Sequence, residues 1–344
     1  MANLTKIVAA LCGALLLAPA AAAPSALTQP AIISAKAGTA VMLALARAGT
    51  RLVAVGERGI VQLSDDNGNN WRQVATPVQV SLAAVRFVNE RSGWAVGHLG
   101  VVLHTDDGGL TWRKQLDGIE AAELMARAAV SPEDKAAAAH MREDGPDKPF
   151  LDLYFLDENT GYVVGAYNLA FRTTDGGKHW QPWQSHLPNP KSLHLYGMRG
   201  AGAALYLVGE QGSLFRSADG GASFKALTSP YKGSYFGLVT ARGGEIVVFG
   251  LRGTAFWSGD QGRSWQAVDT GVQQAITAGI ELADGTLALL SQGGDLLFSD
   301  DRGRTFARQP NAQPWPSAAL VQAADKTLVL AGLRGLRRQQ PFTK

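Results

Sequence analysis

The sequence predicts an all-β fold, a seven-bladed β-propeller. Three observations predict it: an octapeptide that recurs six times, the near-constant spacing of its copies, and short alternating strands between them. The octapeptide reads Ser/Thr-x-Asp-x-Gly-x-x-Trp/Phe. Its copies are Ser64-Asp66-Gly68-Trp71, Thr105-Asp107-Gly109-Trp112, Thr173-Asp175-Gly177-Trp180, Ser217-Asp219-Gly221-Phe224, Ser258-Asp260-Gly262-Trp265 and Ser299-Asp301-Gly303-Phe306. The aspartates are 41, 68, 44, 41 and 41 residues apart, and a period of about 40–45 residues is one four-stranded propeller blade.

Each interval parses into four strands. In the second, Leu82 to Val88 alternates as an inner strand, followed by Gly93 to Gly97, Val101 to Thr105 and Trp112 to Leu116. Alternation bounded by Gly, Asn and Asp is the strand-and-turn pattern. The octapeptide is then a hairpin turn between third and fourth strands. Its carboxylate accepts turn N–H groups, its Gly takes positive φ, its hydroxyl closes the turn, and its aromatic ring folds back between sheets. This role is structural. One essential Asp per turn supplies too few oxygens for calcium.

Six copies do not fix six blades. Ser317 to Ala323, Thr327 to Gly332 and Gly335 to Gln339 read as three further strands without a box. The missing outer strand is expected from Ala31-Ile32-Ile33-Ser34, which would join both chain ends in a seventh blade and remove an open edge. Six blades plus a tail is the alternative. The propeller is expected over residues 27–340.

The 68-residue interval locates an insertion at 117–149, between blades 2 and 3. Ile119 to Ala129 and Pro132 to Arg142 are rich in helix formers. Ser131 reads as an N-cap, with Pro132 at the first helical position and Glu133 and Asp134 in the first turn. A helical hairpin ended by Gly145-Pro146 is expected.

Residues 1–22 read as a signal peptide: Lys6, then an uncharged run from Ile7 to Leu17, then small residues with cleavage after Ala22. An uncleaved anchor is the alternative. The expected location is the periplasm, or the lumenal side of a photosynthetic membrane. The single cysteine, Cys12, lies inside this segment. The mature chain would hold no disulfide, thiolate metal site or Cys nucleophile.

The balance of 32 Lys+Arg against 29 Asp+Glu leaves a formal charge of +3. No basic stripe accompanies it, so a nucleic-acid partner is excluded. The cluster Arg334, Arg337 and Arg338 reads as a charged edge strand. No nucleophile elbow, metalloprotease helix, P-loop or dinucleotide fingerprint appears. The six histidines show no metal spacing. Neither a metal nor a cofactor is implied.

Topology places the turns between second and third strands, and the insertion, on the face opposite the boxes. Those turns read Gly56-Glu57-Arg58-Gly59, Gly97-His98-Leu99-Gly100, Gly165-Ala166-Tyr167-Asn168, Gly209-Glu210-Gln211-Gly212, Gly250-Leu251-Arg252-Gly253 and Gly332-Leu333-Arg334-Gly335. The glycines are structural. The residues between them vary, as on a recognition surface. Candidate partner-binding residues are Glu57, Arg58, His98, Tyr167, Glu210, Gln211, Arg252 and Arg334.

Boxes of this kind (BNR repeats), Gly-x-x-Gly turns and a single ring behind a signal peptide resemble the photosystem II stability/assembly factor-like family over residues 40 to 340. The resemblance implies a non-enzymatic protein that docks on membrane-protein subunits partly through arginines; a monomeric ring is expected. Arg58, Arg252 and Arg334 match its Gly-x-Arg-Gly turns. His98, Tyr167 and Gln211 depart from them, as does the insertion. The expected client is a membrane-protein complex or an envelope exporter subunit. The second reading is a glycan-active or glycan-binding propeller like the sialidases, which share the octapeptide. Against it, the sialidase Arg-Ile-Pro is absent, and Glu57 and Glu210 lie in opposed blades, too far apart for a carboxylate pair.

Overall fold

Each octapeptide closes on its own carboxylate. In the first, the Ser64 hydroxyl donates to Asp66 Oδ1 at 2.8 Å and accepts from Gly68 N at 2.8 Å. Asn70 N donates to Asp66 Oδ1 and the Asn70 amide to Oδ2. The pattern repeats with Thr111, His179, Ser223, Ser264 and Thr305 on the second carboxylate oxygen. The position before the aromatic residue is therefore a polar cap that the octapeptide pattern had left undefined. Gly68 has φ 84°, which a side chain would disfavour.

These turns organise seven sheets in a computed structural model that describes residues 26–309 and 315–339. Six sheets have four strands and the last has three, each in simple sequence order. The second blade shows the pattern: Leu82–Phe87, Gly93–Gly97, Val102–Thr105 and Arg113–Leu116. The inner strands Met42–Ala48, Leu82–Phe87, Phe150–Phe155, Leu195–Ala201, Tyr235–Thr240, Ile276–Glu281 and Ser317–Gln322 surround a central channel. Second strands are buried throughout, as in Ile246–Gly250 and Leu328–Gly332, because both of their faces meet neighbouring blades. The box rings fill the gaps between sheets unevenly. Trp112, Trp180 and Phe224 are buried, whereas Trp71, Trp265 and Phe306 are half-buried.

The seventh blade corrects one expectation. It holds Ser317–Gln322, Leu328–Gly332 and Gly335–Gln339, and no fourth strand joins it among the described residues. Ala31-Ile32-Ile33-Ser34 instead lies along blade 1. Ala31 N donates to Thr76 O, and the Gln73 amide bonds both Ile32 O and Ser34 N. Its backbone is thus taken up by blade 1, and Ile32 and Ile33 stay 70% and 60% exposed rather than buried like a closing strand. Gly335–Gln339 is an edge strand shielded by Arg337, which lies over Trp315, and Arg338, paired with Asp325. Ring closure comes from packing. Leu52 meets Ala323 and Val329, and the first box abuts blade 7, where Arg338 bonds the Asn69 side chain.

The long interval holds helices α1 (Gly118–Ala128) and α2 (Pro132–Asp144). Asp117 caps α1 by accepting from Ile119 N and Glu120 N. Ser131 and Asp134 form a capping box at α2, with Pro132 at its start. Arg142 joins the helices through both oxygens of Glu123. Ala121, Met125, Ala138 and Met141 pack with Phe150 and Phe171, which seats the hairpin on blade 3. The expected signal segment, residues 1–22, lies outside the described residues.

Two stability outcomes follow. Trp112→Ala should cost about 3–5 kcal/mol in chemical denaturation, since Trp112 is 8% exposed and its Nε1 donates to Gly109 O. A loss below about 1 kcal/mol would contradict its role. Acid should act in two windows. Burial, then the Arg113 charge, pushes His104 down to about 4 from 6.5. The unfolded chain therefore binds more protons between those values, and stability falls as pH drops through that window. Hydrogen bonds from Asn70 at Asp66 and Ser264 at Asp260 hold those carboxyls at about 2. Their stabilisation is full above the ordinary value of 3.8 and is lost as pH falls towards 2. Melting temperature against pH should decline in both windows, and His104→Gln should flatten only the upper one.

Candidate docking face and central channel

The turns after each second strand share one hydrogen bond. The N–H of the first turn residue donates to the carbonyl just ahead of the inner strand. The pairs are Glu57 to Val41, His98 to Ser81, Ala166 to Pro149, Glu210 to His194, Leu251 to Ser234, Gln292 to Ala275 and Leu333 to Pro316. The second glycine packs closely on the chain arriving from the outer strand. A Cβ on Gly212 would lie 1.9 Å from Tyr231 O. The second turn residue must then reverse the chain. Arg58, Leu99, Tyr167, Gln211 and Arg252 do so with φ between 51° and 58°, at a cost of about 1–2 kcal/mol each for a residue with a Cβ.

This geometry sorts the candidate residues into two groups. Arg58, His98, Tyr167, Gln211, Arg252 and Arg334 are exposed on this face. Glu57 and Glu210 are half-buried and turned inward. Glu57 Oε1 accepts from Val41 N at 3.2 Å, and Glu210 Oε2 from His194 N at 2.8 Å. These two carboxylates do the same local job in opposed blades. Arg334 also differs from its counterparts, since in its turn Gly335 alone takes positive φ.

Tyr167 is tied to its surroundings despite being 60% exposed. Its N–H donates to His194 Nδ1, its ring lies 4.5 Å from the His194 ring, and the Lys148 ammonium sits 5.8 Å from its centroid. His194 meets Tyr196 at 6.1 Å and Tyr196 meets Phe236 at 5.5 Å. This aromatic series leads from the face into the channel. Exposed apolar side chains also stand on two of the turns, Leu251 and Leu333, and on the helical hairpin, Ile119 and Val130.

Sequence reading missed a charged cluster inside the channel. Asp152 accepts from Met198 N at 2.9 Å and from Arg199, and Arg86 Nε stands 3.6 Å from its other oxygen. The signal was available in the repeats once aligned by register. Asp152 occupies the third position of its inner strand, where the other blades carry Ala44, Ala84, Gly197, Gly237, Ala278 and Ala319. Among the described residues, no group of three or more His, Asp or Glu could hold a metal ion.

A family model described as photosynthesis system II assembly factor YCF48 matches residues 54–135 and 141–286. The photosystem II assembly lipoprotein Ycf48 of a Synechococcus species is 32% identical over 77 residues, 22% of this chain and 23% of that protein. Its counterpart from Prochlorococcus marinus is 41% identical over 49 residues, 14% of each. The alignments thus span under a quarter of these curated relatives. Among solved structures, one described as YCF48 bound to D1 peptide superposes with a TM-score of 0.64 at 17% identity, covering 91% of this chain and 97% of that one. YCF48 from Cyanidioschyzon merolae gives 0.64 at 15% over 90% and 97%. A GH74 xyloglucanase from Xanthomonas campestris gives 0.63 at 13% over 90% and 52%. At such identities the superpositions establish the propeller fold and nothing finer.

The division of the turn residues is measurable. Glu57→Ala and Glu210→Ala should each lower unfolding free energy by about 1 kcal/mol, the net worth of an ordinary hydrogen bond. Arg58→Ala and Gln211→Ala should stay within about 0.5 kcal/mol. Equal effects in both groups would remove the distinction between inward and outward residues.

Proposed function

This chain belongs to the YCF48 family of assembly-factor propellers, whose model matches most of the ring, and we propose that it is a non-enzymatic assembly or accessory factor for a membrane-protein complex. It acts on the periplasmic or lumenal side. It docks through the face opposite the boxes, with Arg58, His98, Tyr167, Gln211, Arg252 and Arg334 as contact residues. The family match is the observation that carries this reading.

Three features of the chain support it. The outward residues of the face combine cations with aromatic and aliphatic side chains, the composition of protein interfaces. Glu57 and Glu210, the carboxylates of these turns, are occupied by backbone N–H groups of their own blades. That leaves them unsuited to the acid and nucleophile roles of a glycosidase. The helical hairpin extends the same side of the ring through Ile119 and Val130. A solved relative is described as bound to a D1 peptide, and an extended segment of a membrane-protein subunit is the kind of partner proposed here. The client need not be a photosystem.

The tagged mature protein should recover a membrane complex from solubilised envelope. Replacing Arg58, Arg252 and Arg334 together with Glu should abolish that recovery while leaving the melting temperature unchanged. Recovery of no specific complex, together with turnover of a glycan panel, would overturn the assembly-factor reading. Full recovery by the triple variant would reject this face.

A further inference from the structure

The seven inner strands enclose a channel of about 610 Å³, a size typical of small-molecule sites. Every inner strand is bulged directly after its first residue. A bulge re-aims one side chain, and here it turns Tyr196 and Phe236 into the channel. The next position is Ala or Gly in every blade but the third, where Asp152 stands.

The walls of this channel are chemically unequal. Blades 2 to 4 supply Arg86, Asp152, Tyr154 and Arg199, whereas blades 1, 6 and 7 supply Leu45, Ile280 and Val321. The third arginine of the lining, Arg47, is turned away and donates to Gly49 O.

The charged wall is one anion short. Two guanidiniums share the single carboxylate of Asp152, whose side chain is 7% exposed. Asp152 is satisfied by Met198 N and Arg199. Arg86 is held less closely: its Nε stands 3.6 Å from Asp152 and makes no hydrogen bond among the described residues. Burial and then the Arg199 charge push Arg86 down to about 10, against the attraction of Asp152. It remains a cation at neutral pH, with its side chain 31% exposed along the channel wall. With two guanidiniums to one carboxylate the cluster keeps one net positive charge, which a bound anion would balance.

We infer that the channel binds a small organic carboxylate, its anionic end against Arg86 and Arg199 and its apolar body between Tyr196, Phe236 and the aliphatic wall. A monoanion balances the cluster, and two guanidiniums offer the paired N–H geometry that carboxylates accept. The bulged aromatic residues and the aliphatic wall give the remainder of such a ligand an apolar surface. This site is separate from the docking turns and does not depend on them.

Calorimetric titration of the whole mature chain tests it with 3-phenylpropionate and its uncharged isostere 3-phenylpropanamide. The acid should bind one per chain, and the amide about tenfold more weakly or worse, as when a charge-assisted hydrogen bond is lost. Arg86→Gln should weaken the acid by a similar factor, and Arg86→Lys by less. Arg252→Gln, on the docking face, should change nothing. Should Arg86→Gln fail to fold, the comparison of acid with amide on the unaltered chain decides. Equal binding of acid and amide, absence of binding at millimolar acid, or undiminished binding by folded Arg86→Gln would each overturn the inference.

Discussion

The ring depends on one recurring contact, a side-chain donor from the preceding blade to each of the six box turns. Arg51 donates to Gly108 O, the Gln115 amide to Gly176 O and the Tyr162 hydroxyl to Gly220 O. Tyr206 reaches Gln261 O, Trp257 donates to Arg302 O, and Arg338 bonds the Asn69 side chain. The donors differ in chemistry but not in purpose. A box turn exposes carbonyls that its own carboxylate cannot satisfy, because a carboxylate only accepts. The neighbouring blade supplies what is missing. The last of these contacts crosses from blade 7 to blade 1 and meets a side-chain oxygen in place of a backbone carbonyl, so ring closure uses a variant of the contact made at the other five boxes. A fourth strand in blade 7 is then unnecessary, and the edge is protected by arginines instead.

This arrangement separates the groups that hold the ring together from the proposed docking face. Boxes and inter-blade donors lie on one face, where each carboxylate is saturated by its own turn. On the other face, the turns are fixed by the bond from the first turn residue to the carbonyl ahead of the inner strand. With the backbone held at both ends, the second turn residue can take an unfavourable φ and project outward. The glycines relieve the crowding at the tightest points, which leaves Arg58, Tyr167, Gln211 and Arg252 to differ without disturbing the fold.

Much of this was legible in the amino-acid order. The six boxes and their spacing announced blades, because a turn built on one carboxylate demands fixed residue types at fixed offsets. The face of the variable turns followed from strand parity. What was not legible depends on partners distant in sequence. Nothing local in Ala31-Ile32-Ile33-Ser34 says that Gln73 and Thr76 will take its backbone, so an apolar tetrapeptide looked like a closing strand. Glu57 and Glu210 looked free because an N–H preceding a strand leaves no sequence mark. Arg86, Asp152 and Arg199 come from three blades, and only alignment by hydrogen-bond register sets Asp152 in a column of Ala and Gly.

That column shows where the propeller departs from its own repeat. A repeat fold averages its positions, so the small residues beside each bulge keep the channel open all the way round. One departure from the repeat is enough to polarise it. Asp152 gathers an arginine from each neighbouring blade, and its placement needs no change in the boxes that hold the ring together. The aromatic series from Tyr167 through His194 and Tyr196 to Phe236 joins this polarised interior to the outer face. Since the boxes and seams carry the ring, the turns and the channel lining are the positions at which it can vary without losing its fold.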